Sequence, residues 1–265
     1  MAERLAGKSA VITGAASGMG KAIALAYLKE GANIVVADVN EARLKELAQE
    51  VAELGLSKQF AFLKCDISIN EDCENAVKAC VDTFGICNVL SHNAGIIDDF
   101  TMVDAMEDEL WNRVISVNLT GSMRICRASL KYFLSNDIKS SIVMITSNAA
   151  FESATGGPAY TASKAGANAL MKSIAFEYGR KGIRCNSICP GMTKTNIGES
   201  VNLTFNEAGN TLHRSTGYNA HYNEWSVKPY GTPEDISHLS VYLASDESSF
   251  VNSASIIIDG GICLG

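Results

Sequence analysis

Seven short apolar runs alternate along the chain with longer segments in which apolar residues recur every three or four positions. The short runs predict buried β-strands, and the longer segments predict helices. In chain order the strand runs are SAVITG, ANIVVADV, QFAFLKCDI, CNVLSHNAG, SSIVMITS, IRCNSICPG and ASIIIDGG. This alternation predicts an α/β fold, a doubly wound parallel sheet with helices on both faces.

No internal repeat or linker interrupts the pattern, so we predict a single Rossmann-type domain over residues 1–265. Residues 196–230 depart from it, because they have mixed polarity, many turn residues and no clean period. Their aromatic and histidine residues are Phe205, His213, Tyr218, His221, Tyr222, Trp225 and Tyr230. Long irregular segments in compact domains are often functional. We predict a lid over a substrate pocket, with a solvated surface loop as the alternative.

Composition narrows the class of protein. Apolar residues make up 47% and charged residues 19% of the chain, which is typical of a globular protein. The net charge of −7 disfavours nucleic acid or an anionic membrane as a partner. We expect neither a signal peptide nor a membrane span.

The eight cysteines form no C-x-x-C pair and do not cluster with the four histidines. This pattern predicts no metal site. Reduced, mostly buried cysteines in a cytoplasmic protein are the simpler interpretation.

A glycine-rich turn follows the first predicted strand. Gly14, Gly18 and Gly20 are spaced G-x-x-x-G-x-G in TGAASGMG, at the start of a helical segment. Glycines there let the backbone approach a pyrophosphate, and the helix N-terminus favours its negative charge. The spacing differs from the commoner G-x-G-x-x-G, and a plain strand-to-helix turn is the alternative. We interpret the turn as part of a dinucleotide site.

Asp38 ends the second predicted strand. An acidic side chain at that position accepts hydrogen bonds from the ribose hydroxyls of NAD, and it repels the 2′-phosphate of NADP. Residues 15–19 contain no basic side chain, although Arg43 is close enough in sequence to reach the site. We therefore predict NAD as the cofactor. The alternative role for Asp38 is a helix cap, which Asn40 would serve equally well.

Tyr160 and Lys164 stand four residues apart in a predicted helix, so their side chains share one face. A free phenol has a pKa near ~10 and is a poor base at neutral pH. We expect the ammonium of Lys164 and a positive nicotinamide ring to lower that pKa, so that Tyr160 exchanges a proton with an alcohol or ketone. Gly156 and Gly157 precede this pair, and we expect them to leave room for a bulky substrate.

With these residues the chain resembles the short-chain dehydrogenase/reductase family over nearly its whole length. The motifs that carry the resemblance are TGAASGMG, CDI, HNAG at 92–95, VNLTG, ITS, Tyr160-x-x-x-Lys164 and PGMTKT at 190–195. They occur in the family's order, each at the end of a predicted strand or in a helix. His92 departs from the asparagine that the family often has there, while Asn93 is retained.

The resemblance implies an NAD-dependent enzyme that interconverts a secondary alcohol and a ketone, and it implies a homotetramer. It assigns catalysis to Asn118, Ser147, Tyr160 and Lys164, with Ser147 holding the substrate oxygen and Asn118 supporting a water. The implied cofactor contacts are Gly14, Ser17, Gly18, Met19, Gly20, Asp38, Asp66, Ile67, Asn93, Ala94, Gly95, Tyr160, Lys164, Pro190, Gly191, Thr193 and Thr195.

The substrate is less constrained than the reaction. We expect Ser147, Tyr160, Phe151 and Ser153 to contact it, and a hydroxysteroid such as a bile acid is the best candidate. A sugar alcohol or small diol, or a 3-oxoacyl substrate, are alternatives. A non-catalytic NAD-binding regulator on the same fold is the alternative of another class.

Overall fold

The computed structural model describes residues 3–197, 205–215, 228, 230–261 and 263. Its strands are β1 Ser9–Thr13, β2 Asn33–Asp38, β3 Phe60–Lys64, β4 Val89–His92, β5 Ser140–Ile145, β6 Ile183–Pro190 and β7 Ser255–Ile258. All pair in parallel in one sheet of order β3-β2-β1-β4-β5-β6-β7. The predicted α/β fold with a doubly wound parallel sheet is confirmed.

Helices cover both faces of this sheet. They are α1 Gly18–Lys29, α2 Glu41–Glu53, α3 Asn70–Phe84, α4 Asp108–Ile115, α5 Ser122–Ser135, α6 Pro158–Tyr178, α7 Glu207–Ser215 and α8 Pro233–Ala244. Buried residues of α1, α2 and α8 pack on one face, and those of α3, α5 and α6 pack on the other. A π-helical turn, Ser116–Gly121, lies between α4 and α5.

Alternate residues of each central strand enter opposite cores. In β1, Val11 joins the core under α3, α5 and α6, whereas Ile12 joins the core under α1, α2 and α8. Successive side chains of a strand point to opposite faces, so a central strand between two helix layers is apolar throughout. The edge strand β3 differs from this expectation, because Phe62 is 37% exposed.

The strand order reverses between β1 and β4. The chain runs outward from β1 to β3 and then crosses back to place β4 on the other side of β1. In open parallel sheets such a reversal leaves a crevice at the carboxyl ends of the two strands, where ligands bind. The glycine turn after β1 and the HNAG motif after β4 both open into that crevice.

Parts of the predicted lid lie within the described residues. Phe205 stacks on Phe100 with ring centroids 5.0 Å apart. Tyr230 is exposed, with the ammonium of Lys194 5.8 Å from its ring centroid. His213 belongs to α7. Tyr218, His221, Tyr222 and Trp225 lie outside the described residues, so the lid stays a prediction.

The predicted state of the cysteines agrees with the structure. All eight are free thiols, and all but Cys263 are buried. Of the helices in the described part of the chain, none is both long enough and apolar enough to cross a membrane.

Gly14 and Gly55 offer a matched test of how tightly β1 and β4 approach each other. Both have positive φ, +61° and +75°, so alanine at either position adds backbone strain of about 1 kcal/mol. A Cβ at Gly14 would lie 2.6 Å from Ala94 Cα, whereas a Cβ at Gly55 would meet nothing within 4 Å. We expect Gly14→Ala to lower the free energy of unfolding by roughly a further 1–3 kcal/mol beyond Gly55→Ala. Urea unfolding measures both, and equal losses would contradict the close approach.

Candidate active site

The glycine turn and the start of α1 form a site suited to a pyrophosphate. Ser17 is the N-cap of α1, and the first turn contains no acidic residue. Gly14 N–H donates to Ala37 O at 2.8 Å, which holds the turn against the end of β2. A Cβ at Gly20 would lie 2.2 Å from Gly14 O, so the turn closes only with glycine there. Exposed amides and a positive helix end therefore face the crevice.

Asp38 lies beside this turn at the end of β2. Its carboxylate oxygens accept hydrogen bonds from Ala16 N–H at 3.0 Å and Asn40 N–H at 2.9 Å. Asn40, not Asp38, caps α2, because its side chain accepts from Arg43 N–H at 3.1 Å. Asp38 therefore holds the loop while its half-exposed carboxylate retains acceptor capacity for a ribose.

The side chain of Arg43 reaches the same corner of the crevice. The carboxamide of Asn196, with its oxygen toward Arg43, accepts from the guanidinium at 2.5 Å and donates to Ser17 Oγ at 3.2 Å. A guanidinium close to the ribose end favours a phosphate there. Two opposite charges therefore lie at this corner of the crevice. The carboxylate of Asp38 favours NAD, and the guanidinium of Arg43 is compatible with the 2′-phosphate of NADP.

The remaining cofactor candidates line the crevice from several elements. Asp66 Oδ1 accepts from Ser68 N–H at 2.8 Å, and the buried Ile67 packs against Gly121 of the π-helical turn. Thr195 lies opposite the glycine turn, where a Cβ on Gly18 would be 3.4 Å from it. The other candidates are Met19 in α1, Asn93, Ala94 and Gly95 after β4, and Pro190, Gly191 and Thr193 at the end of β6.

Asn93 provides an independent sign that a polar ligand fits. Its amide nitrogen donates to Ser91 O at 3.1 Å and Ser91 Oγ at 3.2 Å. Its Oδ1 is buried and has no hydrogen-bond partner among the described residues. Buried acceptors are nearly always paired, so this oxygen fits a ligand hydroxyl. The residues present therefore suit a nicotinamide dinucleotide.

The four predicted catalytic residues lie together at the carboxyl end of β5. Ser147 follows β5, while Tyr160 and Lys164 face it from α6, and all three are buried. Lys164 Nζ donates to Ile145 O at 3.2 Å and lies 5.6 Å from the centroid of the Tyr160 ring. Ser147 Oγ also accepts from Ala149 N–H at 3.1 Å, so it caps a 3₁₀ turn and still faces Tyr160.

Burial dominates the protonation of this pair. It raises the pKa of Tyr160 to about 12, against the effect of a hydrogen bond with Ser147. Burial lowers the pKa of Lys164 to about 8. The expected lowering of the Tyr160 pKa by the Lys164 ammonium is not seen in the protein by itself: burial raises this pKa, and the hydrogen bond with Ser147 is the contact that opposes the rise. Tyr160 is a neutral phenol, the form that gives a proton to a ketone.

Asn118 lies in the π-helical turn between α4 and α5. Its Oδ1 accepts from Ile96 N–H at 2.8 Å, and its Nδ2 donates to Ile96 O at 2.8 Å and Ser163 Oγ at 3.0 Å. A Cβ on Gly95 would lie 3.2 Å from both Asn118 Oδ1 and Lys164 Nζ. Asn118 therefore joins the loop after β4 to α6, and π-helical turns are frequent at functional sites.

His92 connects β1 to that turn, a contact that the sequence did not predict. Thr13 Oγ1 accepts from Asn93 N–H and Ala94 N–H at 3.2 and 3.3 Å, so its own hydrogen points to His92 Nδ1 at 2.7 Å. His92 Nε2 then donates to Ser122 Oγ at 2.7 Å. Burial, and next the charge of Lys164, lower the pKa of His92 to about 3 and keep it neutral.

The two glycines before Tyr160 differ in what lies beside them. A Cβ on Gly156 would lie 2.4 Å from Tyr160 Cδ1, and a Cβ on Gly157 would lie 2.2 Å from Asp98 Oδ1. The Asp98 carboxylate fills the space beside Gly157, so the predicted room for substrate is absent there. Gly156 contacts the Tyr160 ring and also lines an apolar cavity, so room for a substrate beside it stays a prediction. The sequence reasoning missed Asp98, since its partners are far away along the chain.

An apolar cavity of about 510 Å³ lies beyond Gly156. Its walls come from the loop after β4, the loop after β5, the first turns of α6, and α7. The lining residues are Phe100, Met102, Val103, Ser153, Gly156, Pro158, Thr161, Ala162, Gly209 and Leu212. Of the four predicted substrate contacts, Ser153 lines this cavity. Phe151 is exposed, Ser147 and Tyr160 are buried, and none of these three belongs to the lining.

Comparison with known proteins gives matches along nearly the whole chain. A family model described as enoyl-(acyl carrier protein) reductase matches residues 14–263. The 3beta-hydroxysteroid dehydrogenase 2 of Eggerthella lenta is 40% identical over 97% of this chain and 95% of its own. An (S)-acetoin-forming diacetyl reductase of Staphylococcus epidermidis is 32% identical, with 96% and 98% covered. A short-chain type dehydrogenase/reductase structure from Mycobacterium marinum has a TM-score of 0.86 at 27% identity, covering 100% and 98%.

The buried charge of Lys164 makes a prediction about stability. Its pKa falls from 10.5 to about 8 on folding, so its charge opposes folding fully below pH 8 and not at all above pH 10.5. At pH 7 this burial of the charge lowers the free energy of unfolding by an amount on the order of 3 kcal/mol, and the hydrogen bond from Lys164 Nζ to Ile145 O offsets part of it. We expect Lys164→Met, without ligand, to melt at a higher temperature than the parent at pH 7 and to lose that advantage by about pH 10.

Scanning calorimetry at both pH values provides the measurement. Lys172→Met is the matched control, because Lys172 is an exposed lysine of the same helix and should show little change at either pH. A Lys164→Met variant that is less stable than the parent at pH 7 would contradict the burial penalty.

Proposed function

The chain belongs to the short-chain dehydrogenase/reductase family, and we propose that it is an NAD-dependent oxidoreductase that interconverts a secondary alcohol and a ketone with Tyr160 as the acid/base. Enzymes of this family act on alcohols and ketones and use a nicotinamide cofactor. The observation that carries the proposal is the grouping of Ser147, Tyr160, Lys164 and Asn118 beside a crevice suited to a dinucleotide. One domain would perform both binding and catalysis.

Each of the four residues has a distinct role in this proposal. Tyr160 gives its phenolic proton to the ketone oxygen, or takes the hydroxyl proton from the alcohol in the reverse direction. Ser147 donates a hydrogen bond to the same oxygen while charge develops on it. Lys164 holds the nicotinamide ribose, and Asn118 supports a water that leads to solvent. When bound, the nicotinamide accepts or supplies the hydride.

In the protein by itself, Tyr160 is in the protonation state that donates a proton to a ketone. Tyr160 is already a neutral phenol, because burial raises its pKa to about 12. Oxidation requires the phenolate, and a positive charge close to the ring favours that form. Lys164, whose Nζ lies 5.6 Å from the ring centroid, and an oxidised nicotinamide are the charges that would act there.

A hydroxysteroid is the substrate class that we propose. The relative named as a 3beta-hydroxysteroid dehydrogenase shares 40% identity, and the cavity beyond Gly156 is apolar and large enough for a rigid hydrocarbon body. The reacting oxygen would lie at Ser147 and Tyr160, and the ring system would extend toward Ser153 and α7. The lid would then include Phe205, which already packs on Phe100.

A small hydroxyketone or diol is the second candidate. The diacetyl reductase among the relatives favours it, and a compact substrate would occupy the Ser147 end of the site without the apolar cavity. A 3-oxoacyl substrate has less support, since the carboxylate of Asp38 favours NAD, whereas that activity resembles NADP-using members. The regulator hypothesis has no support from a site that retains every acid/base residue.

We also propose that the enzyme is a homotetramer in the cytoplasm. An apolar groove between α5 and α6 and the 89% exposed Phe176 of α6 offer surface for subunit contact. Free thiols at all eight cysteines fit a reducing compartment.

The cofactor proposal is tested at Asp38 and Arg43. Removing the carboxylate in Asp38→Ala should lower kcat/KM for NAD by roughly ten-fold or more and raise it for NADP, since like-charge repulsion at the ribose is lost. Adding Arg43→Ala should remove the gain with NADP, because no guanidinium then meets the 2′-phosphate. Steady-state rates with both cofactors provide the measurement. An unchanged NAD/NADP ratio in Asp38→Ala would reject the assignment.

The reaction proposal is tested by NADH absorbance with hydroxysteroids, acetoin and polyols, for the parent and Tyr160→Phe. We expect the highest kcat/KM with a hydroxysteroid. Tyr160→Phe should lose on the order of 10²–10⁴-fold in kcat, because no group then transfers the proton. It should still bind NADH, as measured by fluorescence.

Three outcomes would count against parts of the proposal. Preference for acetoin would favour the second candidate. No turnover of any compound by the parent protein would revive the regulator. Near-parental turnover by Tyr160→Phe would exclude the acid/base role.

A further inference from the structure

Asp98 is completely buried in the loop that follows β4, and none of the roles assigned so far involves it. Aspartates are rarely fully buried unless they are paired. Its Oδ1 accepts from Gly157 N–H at 3.0 Å, and its Oδ2 accepts from Tyr160 N–H at 2.9 Å. Phe100 N–H donates to the same carboxylate. Burial raises the pKa of this carboxyl group, and the three amide hydrogen bonds, two of them from the start of α6, oppose that rise and favour the charged form.

The start of α6 lacks the usual means of capping. Its N-cap residue is Gly157, which has no side chain, and Pro158 at the next position has no N–H. An N-cap side chain normally accepts from the amide two or three residues further on, which here is Tyr160. Asp98 makes that bond from 62 positions away, and a carboxylate is the group that a helix N-terminus favours.

Gly157 and Asp98 are fitted to each other sterically. The φ and ψ of Gly157 are −68° and 174°, which any residue can adopt. Glycine is needed there for space, since a Cβ would lie 2.2 Å from Asp98 Oδ1. The Asp98 carboxylate therefore occupies the volume that a side chain on the N-cap residue would take.

The loop that carries Asp98 also holds Asn118. Ile96, two residues earlier, exchanges two hydrogen bonds of 2.8 Å with the carboxamide of Asn118. One short segment therefore connects directly to two of the four catalytic candidates. The distance between the Asn118 end and the Tyr160 end of the site depends on its conformation.

We propose that Asp98 is a positioning residue for Tyr160: by capping α6 at the amide of Tyr160 itself, it fixes the turn from which the phenol meets the substrate oxygen. The inference rests on the proposed acid/base role of Tyr160. A misplacement of about 1 Å at a reacting group can cost as much as 10²-fold in rate, so the cap is important for turnover as well as for stability.

The charge of Asp98 has a second, smaller effect on the phenol. The Asp98 charge raises the pKa of Tyr160, and it does so less than burial, which also raises that pKa; its effect is smaller than the opposing effect of the hydrogen bond with Ser147. Lys164 faces the ring from the same helix, and Asp99 is the charged neighbour of Asp98 in its own loop. Asp98→Asn keeps an acceptor oxygen and removes the charge, so the Tyr160 limb of a kcat/KM pH profile should move to lower pH.

A transplanted cap separates positioning from general damage. Asp98→Ala should lower kcat by roughly 10- to 100-fold while NADH binding, measured by fluorescence, stays within about two-fold. In that background Gly157→Ser supplies a local N-cap hydroxyl in the volume that the carboxylate vacates, and it should recover about ten-fold of the lost kcat. Gly157→Ser with Asp98 present should instead impair the enzyme, because its Cβ meets Oδ1.

Asp99→Asn is the matched control, since it removes the same charge from the same loop without a contact to α6. Asp99 Oδ1 accepts from Thr101 N–H at 2.9 Å instead, so kcat should stay within about two-fold of the parent. Hydrogen exchange of the peptide that begins α6 gives a readout independent of turnover. It should be faster in Asp98→Ala, and slower again in the double variant.

Failure of this inference is distinguishable from failure of the proposed function. If the parent is active and Asp98→Ala keeps parental kcat and exchange, Asp98 does not position Tyr160. A double variant no better than Asp98→Ala in both kcat and exchange would also overturn the inference. If Asp98→Ala does not fold, folding of the double variant supports the cap, and its failure to fold counts against it. A parent without turnover rejects the proposed function, while the exchange result still tests the cap.

Discussion

The hydroxyl of Thr13 joins the ends of β1 and β4 at the point where the sheet changes direction, and the site depends on that junction. It accepts hydrogen bonds from the amides of Asn93 and Ala94 and points its own hydrogen to His92. Parallel strands that become neighbours by a crossover leave a crevice between their carboxyl ends. Because Thr13 holds the backbone after β4 in place, that loop can form one wall of the crevice and reach on toward α6.

Burial shapes the chemistry of the site more than any single charge does. Tyr160 and Lys164 lie in the same dry region, and desolvation moves their pKa values in opposite directions, each toward the neutral form. A buried ammonium is costly, and the two apolar cores on the opposite faces of the sheet offset that cost. Residues placed for chemistry at the expense of stability are a common feature of active sites. The same dryness strengthens every hydrogen bond that the site offers to a reacting oxygen.

Hydrogen bonds between distant segments, and not local capping, set the geometry of the proposed catalytic residues. A chain of neutral groups runs from Thr13 through His92 and Ser122 to the carbonyl of Asn118, where α4 and α5 meet in a π-helical turn. Asp98 closes the opposite side by binding the first turn of α6. The hydrogen bonds of His92 and those of Asp98 both involve the segment at the end of β4 and the loop after it. The reacting groups are thereby held by the backbone around them, which is what preorganised catalysis requires.

The sequence by itself determined the sheet and its helices and pointed to the residues that we propose for the chemistry, because each leaves a local signal. Apolar runs indicate buried strands, a glycine turn marks a phosphate-binding helix start, and a four-residue spacing puts Tyr160 and Lys164 on one helical face. Only the tertiary structure decided that Gly157 makes room for Asp98, that Arg43 lies beside the glycine turn, and that burial raises the pKa of Tyr160. These depend on distances between segments far apart in the chain and on solvent exclusion, and neither quantity is defined before the chain has folded.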